Sequence, residues 1–402
     1  MIKLADIVQK NPDAVFIRKT NAKDLEEPEG FREGGYLIAK DLFVKAEGAE
    51  EKLIFKPNVT VSPPKDSQGR IAQGIGGIVT NPHFIGGIID RLQELSAKNL
   101  VVAEGGGSDM KRAYNEWGYT EMAEKRSVPL FSLTKQKYEP DELNWMNVNG
   151  IVMKDIPFVR PIGDADTRFI NIPTMKTHNL GITTLCCKNL HLCCFLFGTE
   201  NNTQIRNNRS RLQAFLFRFL FGSENRNEYF CSSLEGIENS PEEIRAHFQP
   251  NLKEDIMANY KRHVAEGWPF WNKGVERDET WSQRIGDALL GVKPWLNIVE
   301  GIIGRDGTAF NQGKDVLCNF VVAGVHPVHV DAITTYLMGH NPERINYLMI
   351  ARERRLGKIN PHEIDVYVLG DDGFTKCTDL DSIGRCPLGV YHYGDSSEYV
   401  FF

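Results

Sequence analysis

The sequence lacks any apolar run near the roughly 20 residues that a membrane-spanning helix needs, so we expect no transmembrane segment. Its first residues, MIKLADIVQKNPD, do not contain the apolar core of a secretory signal, which predicts a cytoplasmic protein. An excess of basic charge is also missing, because the formal net charge is −6 and the pI is near 6.0. Nucleic acid is therefore not expected as the main partner, since neutralising phosphates requires a basic face.

The eight cysteines lack the spacings of a metal site or of a disulfide framework. No CxxC pair occurs and the CxxCxxCxxxCP run is absent, so no built-in iron–sulfur cluster is expected. On one helix, the pairs Cys186-Cys187 and Cys193-Cys194 would lie about 10 Å apart, which is too far for a single zinc ion. We expect reduced thiols that pack in a core and no cysteine-bound metal.

Short apolar strands that alternate with helical patterns are what the sequence does contain. This alternation predicts an α/β fold, with mainly parallel, Rossmann-like sheets in two lobes. The predicted units are a peripheral N-terminal segment (1–51), a first α/β lobe (52–198), a helix-rich insertion or cap (199–294) and a second α/β lobe with a C-terminal tail (295–402).

The stretch RFINIPTMKTHNLGITTLCCKNL, residues 168–190, concentrates polar groups that bind anions or move protons. An apolar strand, 169–173, is predicted to lead into a loop with Lys176 and His178. Thr183 is predicted to open a helix that carries Lys188 and Asn189. The end of a strand followed by the start of a helix is where an open α/β sheet places its ligand.

Further polar residues follow two other predicted strands. Lys56 and Asn58 come after the strand 52–55, and Gly105, Gly106 and Gly107 come between a strand and a helix, as at phosphate or carboxylate sites. A tight turn explains these glycines equally well, since their spacing is not GxGxxG. Strand ends share one edge of a parallel sheet, so we expect the lysines to converge on a small anion, in competition with the acids Glu104, Asp306 and Asp331.

His178 is the predicted general acid or base, because histidine titrates near neutrality and a nearby lysine favours the neutral ring. A structural loop histidine is the alternative. The predicted catalytic residues are His178, Lys176 and Asp331, and the predicted substrate-binding residues are Lys56, Asn58, Thr183, Lys188, Asn189, Gly105, Gly106 and Gly107. Three alternatives stay open: a Schiff-base lysine, a divalent ion on Asp306 and Asp331, and an ion on His178, His191 and an acid.

The segment 199–294 contains a basic amphipathic pattern, in which Arg209, Arg211 and Arg218 interleave with leucines and phenylalanines. Such a helix docks on a membrane surface or a partner, or buries its apolar stripe in the core or a dimer contact. For the tryptophans Trp268, Trp271 and Trp281 two predictions stay open: they line a lid, or they make ordinary packing contacts. The apolar tail 399–402 is predicted to dock on the body of the protein or on a second subunit.

Six motifs, in order, resemble the bacterial and archaeal family known as domain of unknown function 362: KPN, NP, VVAEGGG, PTMKTHNLGITTLCCKNL, LNIVEGIIGRDG and VVAGVHPVHVDAITTYLMG. The resemblance covers about 53–357 apart from the insertion. It implies a ligand site at Lys56, Asn58, Lys176, His178, Lys188, Asn189 and Asp331. Many relatives carry a ferredoxin-like module with two iron–sulfur clusters, whose cysteines this chain lacks. His326 stands where relatives often have an acid.

The leading hypothesis is an enzyme that transfers a proton on a small anionic organic substrate, a carboxylate or a phosphate. Oxidoreductase chemistry with an external electron donor and isomerase or lyase chemistry both stay open, as does a homodimer. One alternative is a non-catalytic carrier of a cofactor or metal. A second alternative is a docking module that works through 209–221.

Overall fold

The computed structural model describes residues 1–402 except 26, 60, 106–108, 134–138, 179–180, 192–233, 235–236, 238–241, 271–275, 309–311 and 392–398. Several sequence predictions therefore lie outside the described residues. They concern Gly106, Gly107, Trp271, the pair Cys193-Cys194 and the amphipathic helix of 209–221.

The described residues contain 17 strands, most of them short. They are β1 (Ile2–Leu4), β2 (Val15–Lys19), β3 (Phe43–Lys45), β4 (Lys52–Lys56), β5 (Leu100–Glu104), β6 (Leu130–Ser132), β7 (Leu143–Asn147), β8 (Asp155–Val159), β9 (Thr167–Asn171), β10 (Thr174–His178), β11 (Ile182–Thr184), β12 (Leu296–Arg305), β13 (Asp315–Gly324), β14 (Val366–Gly370), β15 (Gly373–Lys376), β16 (Val390–Tyr391) and β17 (Tyr399–Val400).

The α-helices cover both faces of these strands. They are α1 (Asp6–Lys10), α2 (Pro28–Leu42), α3 (Pro82–Glu94), α4 (Met110–Glu116), α5 (Tyr119–Glu124), α6 (Cys186–His191), α7 (Glu242–Arg245), α8 (Leu252–Ala265), α9 (Arg277–Ala288), α10 (Pro327–Leu337) and α11 (Asn346–Glu353). None of the helices in the described part of the chain has both the length and the apolar character that crossing a bilayer requires.

An eleven-stranded sheet joins most of the strands in the described residues, in the order β15-β14-β2-β13-β12-β9-β4-β5-β6. Strand β10 also pairs with β12, and β11 pairs with β10. The strands β12, β9, β4, β5 and β6 run parallel to one another, whereas β13 is antiparallel to its neighbours β12 and β2. The predicted mixed α/β fold with a mostly parallel core is confirmed. This sheet takes strands from 1–51, 52–198 and 295–402 alike. The division of the chain into those units stays a prediction.

The prediction that 1–51 is peripheral is wrong for β2. This strand lies between β13 and β14, and Val15, Phe16 and Ile17 are fully buried. Phe16 faces the core beside α2 and α3, while Val15 and Ile17 face the core beside α10 and α11. The partners of β2 are about 300 residues (β13) and about 350 residues (β14) away in sequence, so a local pattern gives no sign that a strand of five residues is central.

Helix α3 begins at a helix-start signal in the sequence, an asparagine followed by a proline. Pro82 occupies its first turn and the side chain of Asn81 accepts a hydrogen bond from the His83 amide at 2.9 Å. Helix α3 packs closely on α2, because a Cβ added at Gly35 or Gly87 would lie 2.0 Å from a backbone oxygen of the other helix. These two glycines thus permit the helix contact that covers one face of β4 and β5.

A disulfide joins Cys318 of β13 to Cys386, 68 residues away, so the expectation that all thiols are reduced is wrong for this pair. The two Cα atoms lie 5.5 Å apart, a spacing that only the tertiary fold creates. The C-terminal tail docks on the body of the protein nearby. The Phe402 carbonyl oxygen accepts a hydrogen bond from the Asn341 amide at 2.6 Å.

Candidate functional site

The segment predicted to be a loop is the strand β10, which contains Lys176 and His178. It pairs in parallel with β12 and turns back through Gly181 into the antiparallel β11. Thr183 therefore lies in a strand, and the helix α6 begins three residues later at Cys186. The sequence could not show this because the ten-residue strand β12, which supplies the hydrogen-bonded edge, is more than one hundred residues away.

Lys56, at the end of β4, has a fully buried side chain. Its ammonium group donates to Glu104 Oε1 at 2.7 Å and to Asn189 Oδ1 at 3.0 Å. The Glu104 carboxylate, at the end of β5, also accepts hydrogen bonds from the backbone amides of Val59 at 2.8 Å and Gly105 at 2.7 Å. Glu104 is therefore the counter-ion of Lys56. It is one of the acids that the sequence analysis names as competitors of a ligand for the lysines.

Two asparagines connect Lys56 to Lys176. Asn189 Oδ1 also accepts a hydrogen bond from Asn58 Nδ2 at 3.2 Å, and Asn58 Oδ1 accepts one from Lys176 Nζ at 2.6 Å. Lys176 Nζ further donates to the Ile78 carbonyl oxygen at 2.5 Å. Four predicted ligand-site residues thus meet, and we call them, together with Glu104, the Lys/Asn network: Lys56, Asn58, Glu104, Lys176 and Asn189.

Two buried asparagines that are absent from the sequence predictions extend this network. Asn189 Nδ2 donates to Asn171 Oδ1 at 2.8 Å, and Asn171 Nδ2 donates to Asn297 Oδ1 at 2.9 Å. Asn297 Nδ2 in turn donates to the Val325 carbonyl oxygen at 2.9 Å. The sequence did contain a signal for these two residues. Each is a polar residue inside an otherwise apolar strand pattern, FINIP or LNIVE, and a buried amide needs hydrogen-bond partners.

His178 and Lys188 are both buried, and in the sequence they lie close to two members of the Lys/Asn network. His178 is 1% exposed and follows Lys176 by two positions on β10, which places both side chains on the same face of the strand. Lys188 is 4% exposed and precedes Asn189 on α6. Lys176, His178 and Lys188 are thus three buried basic residues on β10 and α6.

Asp331 of α10 is fully buried and holds the start of α6. Its carboxylate accepts hydrogen bonds from the amides of Cys186 at 2.7 Å and Cys187 at 3.0 Å, and from the Tyr347 hydroxyl at 3.2 Å. Burial raises its pKa to about 6. These contacts position the helix that carries Lys188 and Asn189, while a catalytic role for Asp331 stays a prediction.

Thr183 and Asp306 have contacts outside the Lys/Asn network. Thr183 Oγ1 lies 3.1 Å from the Tyr347 hydroxyl and 3.2 Å from Thr335 Oγ1. The Asp306 carboxylate accepts a hydrogen bond from the Lys314 amide at 2.5 Å, across the turn between β12 and β13. Nowhere in the described residues do three or more His, Cys, Asp or Glu side chains form a group that could hold a metal ion.

Helix α9, in the predicted insertion, is buried along 278–288 although its sequence, DETWSQRIGDA, is polar. It packs on α6 and α11. Trp281 lies so close to the β10–β11 turn that a Cβ at Gly181 would be 2.3 Å from its ring. The polar sequence suggests a solvated cap, and only the packing of α6 and α11 shows that this helix supports the site.

Glu300 of β12 is a buried acid that is also absent from the sequence predictions. It pairs with Thr174 of β10 in the sheet, and its side chain accepts a hydrogen bond from the Ile302 amide at 3.1 Å. Burial is the main cause that raises its pKa to about 7. A carboxyl group with this pKa exchanges protons near neutral pH, and its partner Thr174 precedes Lys176 by two positions on β10.

Glu300→Gln is expected to remove a pH dependence of stability. The ordinary pKa of glutamate is 4.5 and the pKa of Glu300 in the folded chain is about 7, so between these values the folded state keeps a proton that the unfolded state releases. Raising the pH through this window therefore destabilises the wild type, by about 1 kcal/mol per pH unit, relative to the variant. Urea denaturation at pH 5, 6, 7 and 8 measures the difference, and parallel curves for the two proteins would contradict it.

A protein-family model described as domain of unknown function (DUF362) matches residues 54–336. The match spans more than half of the 402 residues, so the chain belongs to this family, and the resemblance noted in the sequence is confirmed. No curated protein matches the chain.

Proposed function

We propose that this member of the family is an enzyme that transfers a proton on a small anionic organic substrate, a carboxylate or a phosphate. The reaction takes place where the strands β4, β5, β9 and β10 end. The Lys/Asn network carries the proposal, because it gathers two ammonium groups and three polar partners from separate segments of the chain.

Electrostatics favours an anion at this position. Burying an ammonium group costs several kcal/mol before compensation. Glu104 compensates the fully buried Lys56, and Lys176, which is 2% exposed, donates to the oxygens of Asn58 and Ile78. Such a concentration of buried basic groups at the ends of parallel strands is typical of sites that bind carboxylates or phosphates. The amides of Cys186 and Cys187 at the start of α6 already donate to Asp331, so they do not contribute to binding the anion.

Each residue has a distinct role in the proposed reaction. Lys176 and Lys188 bind the anionic group of the substrate, and His178 accepts or donates the proton. Lys56 and Asn58 position the substrate, with Lys56 itself held by Glu104. Asn189 fixes the distance between Lys56 and Asn58, because its Oδ1 accepts from both side chains.

The proposal also includes the finer features that the sequence predicts. These are a Rossmann-like arrangement in two lobes, a cytoplasmic location and a substrate that is small and anionic. A redox step would require an external electron donor, since the cysteine spacings for a built-in cluster are absent from the sequence.

Deuterium exchange against a mixture of candidate substrates tests the proposal. The purified chain is incubated in D₂O with small organic acids and phosphates, which are then analysed by mass spectrometry. A proton-transfer enzyme places deuterium on carbon in one anionic compound, or converts that compound, and heat-denatured protein does not.

Two further observations, copurification and a deletion variant, separate the enzyme from the alternatives. If one compound copurifies with the chain but neither exchanges nor disappears, the chain is a carrier and the enzymatic proposal is wrong. The docking alternative depends on 209–221, outside the described residues. Deleting that segment would change exchange only modestly under the proposal, but would abolish membrane or partner binding under the docking alternative.

A further inference from the structure

A cavity of about 450 Å³ lies where β12 begins and β13 ends. Its wall is mostly apolar, with Leu190 of α6, Leu289 and Leu290 after α9, and Val292 before β12. Cavities that bind small organic molecules typically have volumes of 300–1,000 Å³, so this one is large enough for such a ligand. None of its lining residues belongs to the Lys/Asn network.

Two cationic side chains, Lys293 and Arg355, stand at the rim of this cavity. Both are exposed, and neither has an ion-pair or hydrogen-bond partner for its charged group among the described residues. Asp13 is the acid in the cavity lining, so the positive charges exceed the negative ones. An anionic group on a ligand would be attracted to this rim.

The chain that leads into α10 forms another part of the wall, through Val325, the N-cap residue His326 and the first helical residue Pro327. Helix α10 has 11 residues, and the positive end of its dipole lies on this side. His326 stacks on His329 with 3.9 Å between the ring centres, and its buried Nδ1 has no hydrogen-bond partner within the described part of the chain. Burial lowers the pKa of His326 to about 4, so the ring is neutral and retains one N–H donor at pH 7.

We propose that this cavity binds an organic monocarboxylate with an apolar chain. Lys293 and Arg355 bind the carboxylate, with the first turn of α10 on the same side. The apolar chain lies against Leu289, Leu290 and Val292, where burying each methylene group contributes about 0.8 kcal/mol. The inference does not depend on the proposed reaction, because the cavity and the Lys/Asn network share no side chain.

The chemistry of the wall favours this class over other ligands. A phosphate or a short dicarboxylate would leave the apolar wall without a partner, and a neutral hydrocarbon would leave the cations unpaired. An apolar amine would place its ammonium group beside Lys293 and Arg355, where like charges repel. A monocarboxylate with an apolar chain satisfies both parts of the lining.

Isothermal titration calorimetry with hexanoate, octanoate and decanoate tests the proposal, with octanamide and octylamine as probes of charge. We expect saturable binding of one carboxylate per chain, with affinity that rises with chain length. Octanamide should bind at least about tenfold more weakly than octanoate, and octylamine more weakly still. Absence of saturable binding across the series, or equal affinity for octylamine, would overturn the proposal.

Three variants locate the site. Lys293→Gln and Arg355→Asn should each weaken octanoate binding about tenfold, and Leu290→Trp should block it by filling the rim. Asparagine is chosen because Arg355 has a φ of 57°, which asparagine tolerates. Lys40→Gln, at an exposed lysine of α2, is the matched control and should bind octanoate like the wild type. Wild-type affinity in all three cavity variants, each shown to be folded by circular dichroism, would also overturn the proposal.

Discussion

Glu104→Gln is expected to lower the free energy of unfolding by about 3–5 kcal/mol, since the substitution leaves the Lys56 ammonium group buried without its counter-ion. The two side chains are both 0% exposed and their charged atoms lie 2.7 Å apart. Glutamine has nearly the same shape as glutamate, so the loss reports the missing charge rather than a cavity. Urea denaturation at pH 7 measures it.

A second substitution shows whether the charge is the cause. In the double variant Lys56→Met and Glu104→Gln no charge remains buried, so most of the lost stability should return. The exposed pair Glu121 and Lys125 provides the control, and Glu121→Gln should leave stability unchanged because water screens that pair. If the single and double variants were equally unstable, the proposed role of Glu104 as counter-ion would be wrong.

His178→Asn is expected to lower the rate of deuterium exchange by roughly a hundredfold to ten-thousandfold, the range that a positioned general acid or base contributes. Asparagine keeps a polar side chain of similar size but does not exchange a proton near neutral pH. Affinity for the anionic substrate should change little, because Lys176 and Lys188 bind the charge in the proposal. The rate and the affinity are measured by mass spectrometry and by calorimetry on the compound that exchanges.

The matched control for this variant is His83→Asn, at an exposed histidine of α3. It should exchange deuterium at the wild-type rate. Lys176→Met should instead lose affinity for the compound, since its ammonium group binds the anion in the proposal. A folded His178→Asn protein with wild-type exchange would exclude His178 as the group that moves the proton.

Local sequence patterns determined much of the parallel part of the sheet. The alternation of apolar strands and helices from 52 to 132 predicts β4, α3, β5, α4 and β6, because each element has a regular period and a clear boundary. Asn81 and Pro82 mark the start of α3 correctly. The position of Lys56 and Asn58 after the predicted strand 52–55 predicted that both would lie at the edge of the sheet, and Lys56 is the last residue of β4.

The sequence alone also identified four members of the Lys/Asn network, Lys56, Asn58, Lys176 and Asn189. It did so because side chains at the ends of parallel strands share one edge of a sheet. It left open whether Glu104 or a ligand compensates Lys56, since that depends on a distance between residues 48 positions apart. The structure shows the pairing with Glu104 directly.

Only the tertiary structure decided the features that depend on distant pairing. The strands β2 and β10 exist because β13 and β12 supply their hydrogen-bonded edges, and neither local period nor propensity reveals such partners. The same reason applies to the buried polar helix α9, to the disulfide between Cys318 and Cys386, and to the cavity beside Lys293. Each depends on which surfaces meet after folding, and a short window of sequence does not contain that information.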